Sequence, residues 1–156
     1  MFFYKKQGKT KEADNESFFK YRDGLSGLKN REFAFKEHER LKHSKEYFAV
    51  AIRLSGCESM PYYKACESIE RAGGLLSRIC EAESARIENG DFVIFSKDGA
   101  ALTEKLNFFL GRLSEEDEVL CAVCDMLDKN ESFEVFIRRI QRHLAAAELE
   151  NVMQKR

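Results

Sequence analysis

Two charged residues near the ends of strand-like segments are the best candidates for chemistry in this sequence. Arg53 comes at the end of the apolar, β-rich segment 47–54, and Asp91 directly follows the Asn89-Gly90 turn. We expect the two side chains at neighbouring strand ends, where they would pair. Magnesium prefers hard oxygen ligands in proteins, usually one or two carboxylates. Because Arg53 cannot lose its proton, the pair is poorly suited to hold magnesium, and a salt-bridged acid is the plainer interpretation of Asp91.

The elements that would position these residues are predicted from the spacing of apolar side chains. Segment 47–54 is almost continuously apolar, which favours a central strand covered on both faces. Asn89-Gly90 lies between two strand-like runs and predicts a hairpin with a type I′ turn, in which both central residues have positive φ. A further strand is predicted over 118–124. Helical spacing predicts four helices, over 30–43, after Pro61, over 102–113 and from 133 onward.

The helix after Pro61 would bury apolar residues at positions 62, 66, 69, 72, 76 and 80. Gly73-Gly74 interrupts this pattern and weakens the helix. The order of elements is helix, strand, helix, hairpin, helix, strand, helix. This order indicates an α/β or α+β sandwich, with helices packed on a mostly antiparallel sheet.

The most informative motif lies at the start of the first predicted helix. Residues 23–33 read DGLSGLKNREF, which resembles the D-x-L-T-G-L-x-N-R-x-x-F opening of GGDEF domains, the bacterial diguanylate cyclase fold. Ser26 replaces the Thr of that pattern. The positions that carry the resemblance are Asp23, Leu25, Gly27, Leu28, Asn30 and Arg31, together with Phe33, which stands one residue before the pattern's closing Phe. The resemblance covers about residues 18–148, and it implies a palm-like sheet and a role in cyclic di-GMP signalling.

The resemblance also implies that the strand end and the last helix have lost functional residues. The family's strand ends L-D-I-D-x-F-K, and its first Asp holds magnesium. Arg53 falls on that Asp and Ser55 falls on the second one. In the closing helix the family has a phosphate-binding Lys, and Glu148 stands at this position, which reverses the charge.

The hairpin that gives the family its name differs at every position up to Asp91. Glu88 and Asn89 stand where the family has glycines, and they add bulk and charge where a purine would approach the backbone. Gly90 replaces an Asp. Asp91 keeps an acid, one methylene shorter than the family's metal-binding Glu.

Two further motifs of the family are also absent. In the segment that helps to hold the guanine base, Pro61 replaces Asn and only the last acid survives in kind, as Glu70. The inhibitory R-x-x-D site for the cyclic dinucleotide falls on Ile79 and Ala82. Arg78 lies one residue out of register, so a shifted version of that site stays open.

Composition limits the class of protein. A chain of 156 residues with 44% hydrophobic and 34% charged residues is typical of one globular domain, which we place at 18–156 after a linker over 1–17. The net charge of −1 gives no general attraction to nucleic acid. Five scattered Cys indicate buried, reduced thiols and a cytoplasmic location. Cys121 and Cys124 would point to opposite faces of one strand and cannot share a metal.

The aromatic and basic residues 2–6 resemble the inner end of a membrane helix, so the domain could instead be the cytoplasmic part of a membrane-anchored protein with an upstream sensor.

Other polar and aromatic residues have plainer interpretations. His38, His43 and His143 lie on charged helices, where solvated surface positions are expected. The basic face of the last helix is expected to be solvated, with docking of an acidic partner as the alternative. If the aromatic side chains of Phe18, Phe19 and Tyr21 are exposed, the resemblance implies that they contact an upstream sensor or a second copy.

Three functions remain from the sequence. The first is a non-catalytic signalling domain that acts through self-association or a protein partner and uses no cofactor or metal. The second is a sensor that binds GTP or cyclic di-GMP without turnover, with Arg53 meeting a phosphate directly. The third, ranked lowest, is an active diguanylate cyclase with rearranged ligands.

Overall fold

The computed structural model describes residues 19–79, 83–113 and 120–154, and it places side chains for these residues except 109–113, 120 and 151–154. The main elements follow the predicted order of helices and strands. They are α1 (Arg31–Leu41), β1 (Phe48–Leu54), α2 (Tyr62–Ile79), β2 (Ser84–Glu88), β3 (Asp91–Ser96), α3 (Gly99–Leu113), β4 (Leu120–Met126) and α4 (Phe133–Gln154). A short 3-10 turn covers Cys57–Ser59 between β1 and α2.

The four described strands form one antiparallel sheet in the order β2-β3-β1-β4. Strand β1 is therefore central, as its continuous apolar sequence predicted. Its last residues align with the hairpin on one side and with β4 on the other, so that Arg53 lies opposite both Asp91 and Cys121. The predicted α+β architecture is confirmed.

Helices cover both faces of the sheet and bury two apolar cores. On one face α1 and α4 pack against alternate residues of the strands, and Phe136, Ile140 and Leu144 are almost completely buried there. On the other face α2 and α3 contribute Leu76 and Leu106 to the second core. Removing a fully buried ring such as that of Phe136 would cost about 3–5 kcal/mol.

The structure confirms the helix predicted after Pro61 and corrects one expectation about its buried face. The helix runs through Gly73-Gly74 without a break. A Cβ atom at Gly73 would overlap the backbone carbonyl oxygen of Ser26, so the glycine lets the opening segment pack directly on the helix. The predicted buried face holds at Leu76 but is wrong at Tyr62, which is 86% exposed.

The hairpin is confirmed, but its turn is not type I′. Asn89 has a φ of 46°, whereas Gly90 lies outside the left-handed range. The strands are also irregular, because the pairing shifts between Arg86 and Glu88. Gly90 is needed for space instead: a Cβ there would lie 2.7 Å from the carbonyl oxygen of Leu54.

The expectation that His38 is solvated is wrong. Its side chain is completely buried and stacks on Phe136 at a centroid distance of 4.5 Å, and neither ring nitrogen has a hydrogen-bond partner among the described residues. Burial lowers the pKa of His38, and the nearby charge of Lys42 adds to this effect. Helix α1 presents this face to α4, which its charged sequence did not reveal.

His143 is only partly the solvated residue that was expected. It is about half exposed, and its Nδ1 lies 2.7 Å from a carboxylate oxygen of Asp125. The two cysteines of β4 do point to opposite faces, but only Cys121 is buried and Cys124 is exposed. Burial raises the pKa of Cys121 to about 11, so this thiol stays protonated at neutral pH.

Candidate functional site

The ends of β1 and β3 bring Arg53 and Asp91 together. The amide of Leu54 donates to the carbonyl oxygen of Gly90, so Arg53 directs its own backbone groups toward β4. Arg53 and Asp91 therefore form a non-hydrogen-bonded pair of the ladder, in which facing side chains are closest. Arg53 Nε donates to Asp91 Oδ1 at 2.8 Å, and a terminal nitrogen donates to Oδ2 at 2.9 Å. The expected pairing is present, and it occupies both carboxylate oxygens of Asp91.

A second carboxylate completes the ion cluster. Glu148, on the last turns of α4, accepts a longer hydrogen bond of 3.4 Å from the remaining terminal nitrogen of Arg53. The hydrogen bond with Asp91 is the main cause that raises the pKa of Arg53, against the opposing effect of burial. The guanidinium therefore remains charged at every pH at which the protein is folded.

Helix α4 also contacts the hairpin through Gln141. Its amide nitrogen donates to Oε1 of Glu88 and, at 3.4 Å, to Oδ2 of Asp91. Gln141 and Glu148 thus approach the turn from the same helix, seven residues apart. Sequence reasoning did not single out Gln141; its signal is the two-turn spacing from Glu148, which places both side chains on one face of the helix.

A cleft of about 260 Å³ opens beside this cluster. Its lining includes the loop after β1, with Ser55 and Glu58, and the tip of the hairpin, with Asn89 and Gly90. The hydroxyl oxygen of Ser55 is buried, and it has no hydrogen-bond partner in the part of the chain that the structure describes. The loop turns at Gly56, which has a φ of 87° that favours glycine. Sequence reasoning missed Gly56 and Glu58, although their position directly after the strand end could have indicated them.

The charges around the cleft are predominantly negative. Among the described residues that line the cleft, Arg53 is the one basic residue, whereas Glu58, Asp91 and Glu148 supply three carboxylates. Glu88 lies just outside the cleft, where its carboxylate accepts a hydrogen bond from the side chain of Gln141. The seven departures at the strand end, the hairpin and the last helix therefore lie in or beside this cleft, namely Arg53, Ser55, Glu88, Asn89, Gly90, Asp91 and Glu148.

The opening motif lies away from the cleft and serves the fold. Asp23 accepts two hydrogen bonds from Arg86, at 2.8 and 3.1 Å, and two more from the amide and hydroxyl of Ser26. Burial opposes ionisation of Asp23, but the hydrogen bonds from Arg86 and Ser26 outweigh it and lower the pKa of the carboxyl group. Arg86 also donates to the carbonyl oxygen of Asn89 at 3.1 Å, so the motif supports the hairpin from its outer side.

The rest of the motif fixes the start of α1. Asn30 caps the helix by accepting from the amide of Phe33 at 3.1 Å, and its side-chain nitrogen donates to the carbonyl oxygen of Lys20. Gly27 adopts a φ of 75°, which explains why the motif has glycine there. The motif's remaining side chains pack or pair locally: Leu25 and Leu28 belong to the α2–α3 core, Phe33 packs on the other core, and Arg31 pairs with Glu134.

Within the described residues, no group of three or more His, Cys, Asp or Glu side chains is arranged to hold a metal ion. Nor does any helix of that part of the chain have the length and apolarity needed to cross a membrane. The segment over 80–82, which contains Ala82 of the predicted inhibitory site, lies outside the described residues, as does Phe18.

Known structures identify the architecture. A structure of the coiled coil and GGDEF domain of DgcB from Caulobacter crescentus, in complex with c-di-GMP, aligns over 95% of this chain and 91% of its own, with a TM-score of 0.77 and 12% identity. The chain has the GGDEF fold.

Other GGDEF-containing structures agree with this result. The S helix-GGDEF-EAL structure of Vibrio cholerae LapD bound to c-di-GMP matches with a TM-score of 0.74 and 15% identity, over 91% of this chain and 37% of LapD. Diguanylate cyclase SiaD from Pseudomonas aeruginosa, in complex with its activator SiaC, matches with a TM-score of 0.69 and 13% identity, over 94% of this chain and 66% of SiaD. No protein-family model and no curated protein matches the sequence. The GGDEF fold is thus retained at a level of identity that carries no information about activity.

Proposed function

We propose that this protein is a non-catalytic GGDEF-like signalling domain that acts through protein contacts. The observation that carries the proposal is the bidentate pair between Arg53 and Asp91 at the mouth of the cleft. In the family pattern both positions hold magnesium ligands. Here one is a permanent cation, and the other is a carboxylate whose two oxygens are already engaged.

The energetics of this pair argue against metal binding. A magnesium ion near Asp91 would have to displace a guanidinium that also contacts Glu148. Two unit charges 4 Å apart interact by about 4 kcal/mol at the effective dielectric of a protein surface, so a divalent cation beside Arg53 would be strongly disfavoured. Without bound magnesium, phosphoryl transfer loses the ion that neutralises charge on the phosphates.

The remaining charges of the cleft are unfavourable for a nucleotide. Three carboxylates and one guanidinium line it, and Arg53 is already paired. Glu148 stands where the resemblance implies a phosphate-binding Lys. A triphosphate would therefore meet net negative charge, and the guanidinium would have to exchange intramolecular partners for the ligand.

A nucleotide sensor is the second candidate. It is favoured by the presence of a cleft beside Arg53 and by two fold neighbours, DgcB and LapD, whose structures contain c-di-GMP. In that case Arg53 would release Asp91 and bind a phosphate directly. An active cyclase with rearranged ligands is the third outcome that the experiments below distinguish.

A protein partner agrees with the fold neighbours, since SiaD is in complex with its activator SiaC. We further propose a cytoplasmic location, in keeping with the scattered cysteines, and a domain over 18–156 that receives its input from residues 1–17 or from an upstream sensor.

The deciding experiment is product formation from GTP with magnesium and, separately, manganese, with an active diguanylate cyclase as the positive control. We expect the protein to form no more cyclic di-GMP than its Asp91→Ala variant. Turnover by the unmodified protein that Asp91→Ala abolishes would overturn the proposal and favour an enzyme.

Calorimetric titration separates the sensor from the contact domain. GTP and cyclic di-GMP are titrated with and without magnesium into the unmodified protein, Arg53→Glu and Arg40→Glu. Arg40 is the matched control, since it pairs with Glu37 on the exposed side of α1. We expect no saturable heat from any of the three proteins. Metal-independent binding that only Arg53→Glu loses would establish the sensor instead.

A further inference from the structure

The two outer edges of the sheet are protected in different ways. The edge at β2 is covered by main chain from the opening segment: the amide of Lys29 donates to the carbonyl oxygen of Ser84 at 3.0 Å, and the amide of Arg86 donates to the carbonyl oxygen of Lys29 at 2.9 Å. A second strand therefore cannot add there. At the other edge, β4 has no such covering strand among the described residues.

Alternate residues of β4 direct their backbone groups away from the sheet. Ala122 is one of them, because its amide bonds outside the sheet, to the side chain of Asn107 on α3. Cys124 and Met126 share this orientation, since they follow at intervals of two. The carbonyl oxygen of Met126 accepts from Arg139 at 2.9 Å. Within the described part of the chain, no comparable bond is seen at the outer backbone groups of Cys124.

Asn107 blocks this edge with one carboxamide. Its Oδ1 accepts from the amide of Ala122 at 3.1 Å, and its Nδ2 donates to the carbonyl oxygen of Ala122 at 3.4 Å. A carboxamide carries the same donor and acceptor as a peptide group, so Asn107 makes the two bonds that a neighbouring strand would make. The side chain is exposed and can therefore be displaced.

The side chains around the edge are suited to a contact. Phe108, next to Asn107 on α3, is 57% exposed, and Met126 is 70% exposed. Asp125 is the charged residue of β4, and it points to the opposite face, where it contacts His143 and Arg139. Natural sheet edges are usually guarded by charges, prolines or bulges, and the described strand β4 has none of these on its outer side.

We propose that the β4 edge is a self-association surface, and that Asn107 holds it closed. The occupant is a second copy of this chain, which adds its own β4 antiparallel about a two-fold axis at Cys124. In that register Ala122 of one copy lies opposite Met126 of the other. The exposed Met126 side chain would then cover the small Ala122 and the neighbouring Phe108, and the two sheets would become continuous.

A second copy is favoured over an unrelated strand, because a single two-fold axis pairs the outer backbone groups of the strand and also covers its exposed apolar side chains. Cys124, whose outer backbone groups lack a partner among the described residues, pairs with itself at the axis. The apolar side chains that flank it, Met126 and Phe108, become covered on both copies at once. The inference rests on the proposed function, since it names the contact through which a non-catalytic domain would act.

Sedimentation velocity over a range of concentrations tests the surface. We expect Asn107→Ala to associate about 30-fold more tightly than the unmodified protein, because each of the two copies no longer loses about one net hydrogen bond when its carboxamide is displaced. Asn107→Asp is the matched control: it keeps the acceptor for Ala122, adds an edge charge, and should associate no more than the unmodified protein. Adding Met126→Lys to Asn107→Ala should abolish the gain.

A measurement on the unmodified chain keeps the test valid if Asn107→Ala does not fold. A short bis-maleimide should cross-link two copies through Cys124, and Cys124→Ser should remove that product while Cys66→Ser retains it. An unchanged monomer for Asn107→Ala, or cross-linking that persists in Cys124→Ser, would overturn the proposal. Because cyclase activity is assayed separately, its absence together with a strict monomer would refute the β4 surface and leave the non-catalytic assignment intact.

Discussion

Two bidentate Arg–Asp pairs hold the same hairpin from opposite sides, and they have different surroundings. Asp23–Arg86 lies in the opening motif, where Ser26 and Asn89 complete the hydrogen bonds of both partners. Arg53–Asp91 lies at the mouth of the cleft, where the additional neighbours are Gln141 and a second carboxylate, Glu148. The first pair is closed and structural. In the second pair, two carboxylates surround one cation, so the local charge is negative. We infer that this change of charge accompanies the loss of catalysis.

The largest expected effect is at Asp23. In Asp23→Ala, Arg86 loses its only carboxylate contact of hydrogen-bond length seen among the described residues, and the amide and hydroxyl of Ser26 lose their acceptor. Breaking such a mostly buried pair costs about 3 kcal/mol. Urea unfolding measures the change, and a loss below that of Asp91→Ala would contradict the contrast between the two pairs.

Two adjacent glycines test how tightly the opening motif is packed. Gly73→Ala should destabilise the protein by about 2–3 kcal/mol, because the new methyl group would overlap the main chain at Ser26. Gly74→Ala meets no atom within 4 Å and should instead stabilise the helix by about 0.5–1 kcal/mol. The sign difference is read from the two thermal unfolding midpoints, and equal shifts would show that the motif can move away from α2.

The pair at the cleft should be less important for stability. In Asp91→Ala, Arg53 keeps Glu148 and gains access to water, so we expect a loss of about 1–2 kcal/mol. Arg53→Ala should cost at least as much, since it leaves two acids without their cation. Urea denaturation of both variants checks this order, and the reverse order would mean that Glu148 contributes no compensation.

The pH dependence should separate the pairs further. Because the folded-state pKa of Asp23 is lowered, its contribution is complete above the pKa of the unfolded chain, about 3.9, and is lost as the pH falls through the lower folded value. Asp23→Asn should therefore show a shallower loss of stability in this acidic range. Chemical unfolding at a series of pH values from neutral downward measures it, and parallel curves for the two proteins would contradict the assignment.

The smallest effect is expected at Glu148. Its side chain is 34% exposed and its bond to Arg53 is long, so screening by water leaves about 0.5 kcal/mol or less. Glu148→Gln should have an unfolding midpoint close to that of the unmodified protein. A large decrease of the unfolding midpoint would show that Glu148 stabilises the fold, as Asp23 does, and would contradict the contrast between the two pairs.

Much of the fold could be predicted because it depends on local patterns. The continuous apolar run predicted β1, the Asn89-Gly90 signal predicted the hairpin, and the helical spacing of apolar residues predicted the helices. The predictions that were wrong concern residues whose structure depends on contacts with distant segments of the chain. The type I′ turn was wrong at a hairpin whose pairing shifts between Arg86 and Glu88, and the surface position of His38 was wrong because Phe136 of α4 stacks on its ring.

By itself, the sequence determined the order of elements, the GGDEF resemblance and the meeting of Arg53 with Asp91, since spacing along a strand and a hairpin decides which residues are neighbours. Only the tertiary structure decided that Gln141 and Glu148 contact this pair, that the main chain at Ser26 packs against Gly73, and that Asn107 covers the edge of β4. These contacts join residues far apart in the chain, and their geometry depends on how helices pack across the sheet, which no local pattern specifies.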